Sequence, residues 1–159
     1  LIAAIKYCQN DIPNGWGFVI VGNTKMFKPE QLREIEQLNR TKKTIQLTGW
    51  LSDEQLAEYF RQAKALVFPS LSEGFGIPVL EAYFYKIPLL LSNQASLPEV
   101  AGDAAIYFNP YDIENIANTL VQFVKTNDYS ELITKQIERL SLYSWEKTSN
   151  QIQQIIQTI

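Results

Sequence analysis

Five short runs of nearly unbroken apolar residues, set between stretches of helical spacing, constrain this chain more than any other feature. They are Trp16–Gly22 (WGFVIVG), Thr44–Trp50 (TIQLTGW), Ala65–Ser70 (ALVFPS), Pro88–Ser92 (PLLLS) and Ala105–Pro110 (AIYFNP). A strand covered on both faces needs continuous rather than alternating apolarity. Between the runs, Pro29 opens a helix with Leu32, Ile35 and Leu38 on its inner face. Ser52 and Gln55 form a capping box ahead of Leu56, Tyr59, Phe60 and Ala63. Pro78 opens a third helix, and Asp112 caps a fourth carrying Ile116, Leu120, Phe123 and Val124. Two more follow, around Tyr129–Leu140 and from Trp145 onward. In the last, Ile152, Ile155, Ile156 and Ile159 form a stripe that needs a protein surface. Strand alternating with helix predicts an α/β, Rossmann-like parallel sheet with right-handed crossovers and helices on both faces.

The 159 residues contain no internal repeat, low-complexity tract or linker, so residues 1–159 read as one domain. The chain opens inside a helical pattern (Leu1, Ile2, Ile5, Cys8) with no strand before it. In a parallel sheet such a helix normally follows a strand, so we expect a first strand upstream and a domain entered part-way. A plain N-terminal helix is the alternative.

Composition narrows the chemistry. Hydrophobic residues make up 46% and charged residues 19%, the balance of a globular protein. A net charge of −3 gives no electrostatic basis for a nucleic-acid partner. A lone cysteine, Cys8, forms no internal disulfide and suits a reducing, cytoplasmic compartment. On an apolar helix face, Cys8 reads as structural rather than nucleophilic. The chain has no histidine, which removes the commonest metal ligand and the commonest general base. No apolar run nears the roughly 20 residues that span a bilayer.

In open α/β sheets, ligands bind beyond the carboxyl ends of the strands. Of the segments there, Glu73-Gly74-Phe75-Gly76-Ile77-Pro78 is the longest and richest in glycine. Glycines on both sides of Phe75 allow close backbone approach to a ligand. Pro78 is expected as the first helical residue with Ile77 as its cap, leaving the amides of Val79, Leu80 and Glu81 pointing at the loop. Free amides and a positive dipole end can hold a phosphate without lysine. Glu81 on the helix suits the two hydroxyls of a ribose, and Glu73 the group beyond the phosphates. The plain alternative makes Glu81 a partner of the helix dipole and Glu73 a solvated loop acid.

PSLSEGFGIPVLEA, with seven residues between Glu73 and Glu81, resembles the E-x7-E motif of the family 4 (group 1) retaining glycosyltransferases, which have the GT-B fold. VIVGN at 19–23, LTGWLSDEQLAEYF at 47–60, ALVFPS at 65–70 and SLPEVAGDAAIYFNPYD at 96–112 agree with it in order. The resemblance implies the C-terminal, donor-binding half of that fold, holding a nucleotide-diphosphate sugar. By it, Glu81 holds the ribose, while the amides of Phe75, Gly76 and Ile77, with the helix start behind them, contact the transferred sugar and the diphosphate; Gly74, Val79 and Leu80 belong to the same donor-binding set. Glu73 is the catalytic candidate, either stabilising the transition state or positioning the donor. Gly49, Trp50 and Leu51 contact the nucleobase; Trp50 reads equally well as a stacking ring or a core indole.

SLPEV points to mannose, so GDP-mannose or a UDP-sugar is the implied donor. The acceptor is a glycan or lipid-linked glycan bound by an N-terminal domain, with peripheral membrane association of the longer protein compatible with that acceptor. The family's Arg and Lys pair on the phosphates has no counterpart here, and Lys6 does not replace it. Lys86 stands where the family has a small residue. No cofactor or metal is implied, in keeping with the lack of histidine and of an Asp-x-Asp pair. The fragment alone is expected to be inactive. A nicotinamide oxidoreductase or Walker nucleotidase lacks its glycine motif here. A GT-B epimerase and a non-catalytic nucleotide-sugar-binding or interaction module remain as alternatives.

Overall fold

A computed structural model describes residues 1–42, 44–126 and 128–158. All five predicted strands form, each shorter than its apolar run: β1 Phe18–Val21, β2 Ile45–Gly49, β3 Leu66–Phe68, β4 Leu89–Ser92 and β5 Ile106–Phe108. The helices are α1 Ile2–Cys8, α2 Pro29–Thr41, α3 Asp53–Gln62, α4 Ile77–Phe84, α5 Leu97–Ala101, α6 Ile113–Lys125, α7 Ser130–Leu140 and α8 Trp145–Gln157. A 3-10 turn at Thr24–Met26 and the short α5 lie outside the sequence reading.

Local chemistry accounts for the boundaries. Gln31 Oε1 accepts from the Lys28 amide at 2.9 Å ahead of Pro29. Ser52 and Gln55 complete the expected reciprocal box, with the Ser52 amide donating to Gln55 Oε1 at 2.9 Å and the Gln55 amide to Ser52 Oγ at 3.3 Å. Asp112 accepts from the Asn115 amide at 3.0 Å, as expected of the cap of α6.

Every pairing is parallel, but among the described residues the sheet comes in two hydrogen-bonded pieces, β1–β2 and β3–β4–β5, rather than one. Among the described residues, no strand pairs with the second edge of β1 or of β3. Side chains join the pieces instead: Phe18, Ile20 and Leu47 pack on the same core as Val67, Leu90 and Phe108. That first core is closed by Ile2, Ile5 and Cys8 of α1, Ile35 and Leu38 of α2, and Ile116, Leu120 and Phe123 of α6. The opposite face of the three-stranded piece, with Leu66, Phe68, Leu89 and Leu91, packs on Phe60 of α3, Val79, Ala82 and Tyr83 of α4, and Leu97 and Val100 of α5. Adjacent residues of β4 thus serve opposite cores, Leu90 one and Leu89 and Leu91 the other, as the twofold period of a strand requires. Cys8 is buried in the first core, and burial pushes its thiol pKa up, as a structural cysteine requires.

The α8 stripe does not pack on this domain. No described residue of α8 is buried, and Trp145, Ile152, Ile155 and Ile156 are exposed. Ile159, the last residue of the expected stripe, lies outside the described residues.

Candidate functional site

The expected site residues follow the carboxyl ends of β2 and β3. At the end of β2, the register slips between Ile20 and Val21, so that Val21 aligns with Gly49 and Thr48 is left over. Thr48 Oγ1 donates to the Gly49 carbonyl at 3.0 Å, and Gly49 takes φ 74°, a conformation that only glycine adopts cheaply. The chain then turns outward through Trp50 and Leu51 into the capped start of α3. Trp50 is 80% exposed, which excludes the core-indole reading and leaves the ring free at the surface.

Beyond β3, the loop Glu73–Gly76 runs into α4. Its cap is Gly76, not Ile77, and α4 begins at Ile77 with Pro78 second. The reason is the backbone of Gly76, at φ 97° and ψ 56°: it makes the reversal itself, and Ile77 can then enter helical geometry despite the proline after it. A Cβ on Gly76 would come within 2.7 Å of Leu97 Cδ2, a side chain fully buried in the second core.

This shift changes which amides are free. Val79 donates to the Gly76 carbonyl at 2.9 Å, so its amide is not available to a ligand. Glu81 lies past the first turn, where helical geometry commits its amide too. The unbonded donors sit earlier in the chain, with Gly74, Phe75 and Ile77 exposed and Gly76 buried. Among the described residues, the amides of Gly74, Phe75, Gly76 and Ile77 find no acceptor. Val79 is buried beneath the mouth, and Leu80 packs at the edge of the second core.

Glu81 is partly buried. Burial, then the nearby charge of Asp53, raises its carboxyl pKa above the ordinary value, so the turn after β2 and the start of α4 share one electrostatic neighbourhood. Glu73 is half-buried at the other side of the loop.

Several contributors were not singled out from sequence. Ser96 Oγ donates to the Glu73 carbonyl at 2.9 Å and leans on that of Phe75 at 3.3 Å. Phe75 meets the Tyr143 ring edge-on at 5.5 Å, and Tyr143 Oη donates to the Val100 carbonyl at 3.1 Å. Tyr83 Oη bonds the Ala101 and Ala104 carbonyls at 3.1 and 3.3 Å, fixing α4 to α5. Ser96 sits in a strand-end segment, a signal that could have marked it; the aromatic contacts had none.

Lys86 follows α4 at φ 55°, the left-handed position that closes a Schellman turn. Its amide donates to Tyr83 and that of Ile87 to Ala82, at 3.0 and 3.1 Å. The small residue expected there is explained by this backbone, which lysine adopts only with strain. Two open hollows, of about 420 and 650 Å³, lie at the amino ends of β1 and β2, away from the glycine loop.

Residues 1–139 match the family model described as glycosyl transferases group 1. The chain belongs to the group 1 glycosyltransferases. It is 35% identical to the O-antigen chain mannosyltransferase B of Escherichia coli over 108 residues, 67% of this chain and 28% of that protein. It is 35% identical to the serotype-specific mannosyltransferase WbdA of Escherichia coli over 128 residues, 77% of this chain and 16% of that one. The domain therefore spans about a quarter or less of these relatives. Its fold is shared with sucrose-phosphate synthase from Thermosynechococcus elongatus, at TM-score 0.72 and 24% identity over 99% of this chain and 41% of that one. Anabaena HepE in complex with UDP and glucose gives TM-score 0.77 at 16% identity, over 99% and 44%. The domain is thus an α/β, Rossmann-like part of a GT-B glycosyltransferase fold.

Proposed function

We propose that this domain binds a nucleotide-diphosphate sugar, GDP-mannose or a UDP-sugar, for retaining transfer of a hexose to a glycan or lipid-linked acceptor. The observation that carries the reading is the group of acceptor-free amides at Gly74–Ile77, flanked by Glu73 and Glu81, in a group 1 chain. The mannosyltransferase relatives favour mannose, and the fold neighbour in complex with UDP and glucose favours a nucleotide.

In this reading the loop amides neutralise charge on the diphosphate as it leaves the anomeric carbon. Glu81 accepts from the ribose hydroxyls, Trp50 lies along the base, and Glu73 faces the sugar. Lys6 is taken up by Glu34 at 3.0 Å, which supports leaving it out of the phosphate site. Transfer is proposed to be metal-independent; among the described residues no three His, Cys, Asp or Glu side chains gather as a ligand set. A second surface, from an N-terminal domain, would cover the loop and bring the acceptor, and the domain alone would not turn over. A cytoplasmic setting belongs to the same proposal. Among the described residues no helix is long and apolar enough to cross a membrane.

Calorimetric titration with UDP-, GDP- and ADP-sugars tests the reading. One of them binds, and Glu81→Ala weakens it by about tenfold or more, the loss expected for hydrogen bonds to a charged acceptor. Glu73→Ala leaves nucleotide affinity nearly intact but lowers transfer in a longer protein that carries the N-terminal domain. Equal affinity with and without Glu81 would count against the ribose role. Absence of transfer by the longer protein with every donor would favour a non-catalytic binding module.

A further inference from the structure

We infer that Ser96 is a positioning residue for the sugar donor: its hydroxyl fixes the backbone of the glycine loop and aims the amide of the exposed Gly74 at the ligand, a role that rests on the donor reading above. Ser96 occupies the cap position of α5, where a serine would ordinarily turn its oxygen on its own helix, yet it makes no such cap. The hydroxyl instead reaches across to another element, donating to the Glu73 carbonyl at 2.9 Å and leaning on the Phe75 carbonyl at 3.3 Å. Gly74 and the Phe75 Cα lie between those two carbonyls. In a trans peptide the C=O and the following N–H point in opposite directions. The single hydroxyl proton holds the Glu73 carbonyl, its nearer acceptor, toward Ser96 and therefore turns the Gly74 amide away from it, while the Phe75 carbonyl shares the same proton at longer range; neither the Gly74 nor the Gly76 amide meets an acceptor among the described residues.

The surroundings fit a built brace. Ala95, just before Ser96, is held at φ 55°, a conformation rare for a residue with a Cβ. Leu97, just after it, packs so closely under Gly76 that a Cβ there would meet Leu97 Cδ2 at 2.7 Å. Phe75 also meets the Tyr143 ring in a T-shaped contact, with centroids 5.5 Å apart. Without its brace, a loop with two glycines would sample many backbone directions, and ligand binding would carry the cost of ordering it.

The test compares the native chain with Ser96→Ala and Ser96→Thr, the second keeping the hydroxyl. Amide heteronuclear NOEs at Gly74 and Gly76 are measured without ligand, and affinities for GDP-mannose and UDP-glucose by calorimetry. Expected are lower NOEs at both glycines in Ser96→Ala, affinity for the bound donor weaker by about three- to tenfold, the range of one neutral hydrogen bond, and restoration of both by Ser96→Thr. Unchanged NOEs in Ser96→Ala, or failure of Ser96→Thr to restore them, would overturn the brace whether or not a donor binds. A native chain that binds neither sugar nucleotide would overturn the donor reading and with it this role, even with the NOE pattern intact.

Discussion

The two pieces of sheet carry the same sequence signature and meet different fates. In β4 all four residues are buried, because the first core covers one face and the second core, with α3, α4 and α5, the other. In β1 only Phe18 and Ile20 turn into the core, while Val19 and Val21 remain 44% and 40% exposed. A two-stranded sheet is marginal by itself, and this one stands because α1 and α2 support its inner face. An apolar run reports what a strand can tolerate on its faces, whereas coverage depends on which helices the topology delivers there. The glycine loop belongs to the well-covered piece, so its backbone is braced from a rigid layer.

That contrast can be broken or sharpened by substitution, measured as unfolding free energy in urea. Leu90→Ala should destabilise by about 2–5 kcal/mol, since the cavity opens in a core enclosed on every side. A loss below about 1 kcal/mol would mean that the covered piece is less tightly packed than its burial indicates. Lys86→Gly should stabilise by about 1 kcal/mol, by removing the strain of a left-handed lysine after α4. A loss instead would show that the lysine side chain makes a compensating contribution.

Glu81 gives a smaller effect with a defined sign. Its pKa is raised in the folded state by burial, then by Asp53, so the folded chain holds this proton more tightly than the unfolded one. The native state therefore loses stability as pH rises from the unfolded value through the raised one, and the penalty persists at neutral pH. Glu81→Gln should raise Tm slightly at pH 7, with the gain shrinking as pH falls below that window, while donor affinity drops. A lower Tm at pH 7 would contradict the direction. Smallest of all, Val19→Ala should change stability by no more than about 0.5 kcal/mol, as expected at an exposed site. A cost approaching that of Leu90→Ala would erase the distinction between the two pieces.

Much of the fold was legible because its signals are local. Apolar runs gave five strands, Ser52 with Gln55 gave the start of α3, and Asp112 that of α6. The boundary of α4 was missed by one residue, because proline chemistry was weighed above the freedom of Gly76 to make the turn. That error placed the free amides at Val79–Glu81, when they lie at Gly74–Ile77. Helix α5 was too short for periodicity to reveal, and its serine was read as part of a motif rather than as a brace.

What the sequence determined alone was the order of strands and helices, the glycine loop between two acids, and the family these residues resemble. Periodicity, caps and turn chemistry act over a few residues and leave their mark in the string. The tertiary structure alone decided that Trp50 stands in solvent, that Asp53 acts on Glu81, and that Ser96 reaches the loop. Each of these joins residues far apart in the chain or depends on what covers a surface, and close packing in three dimensions, rather than local preference, sets both.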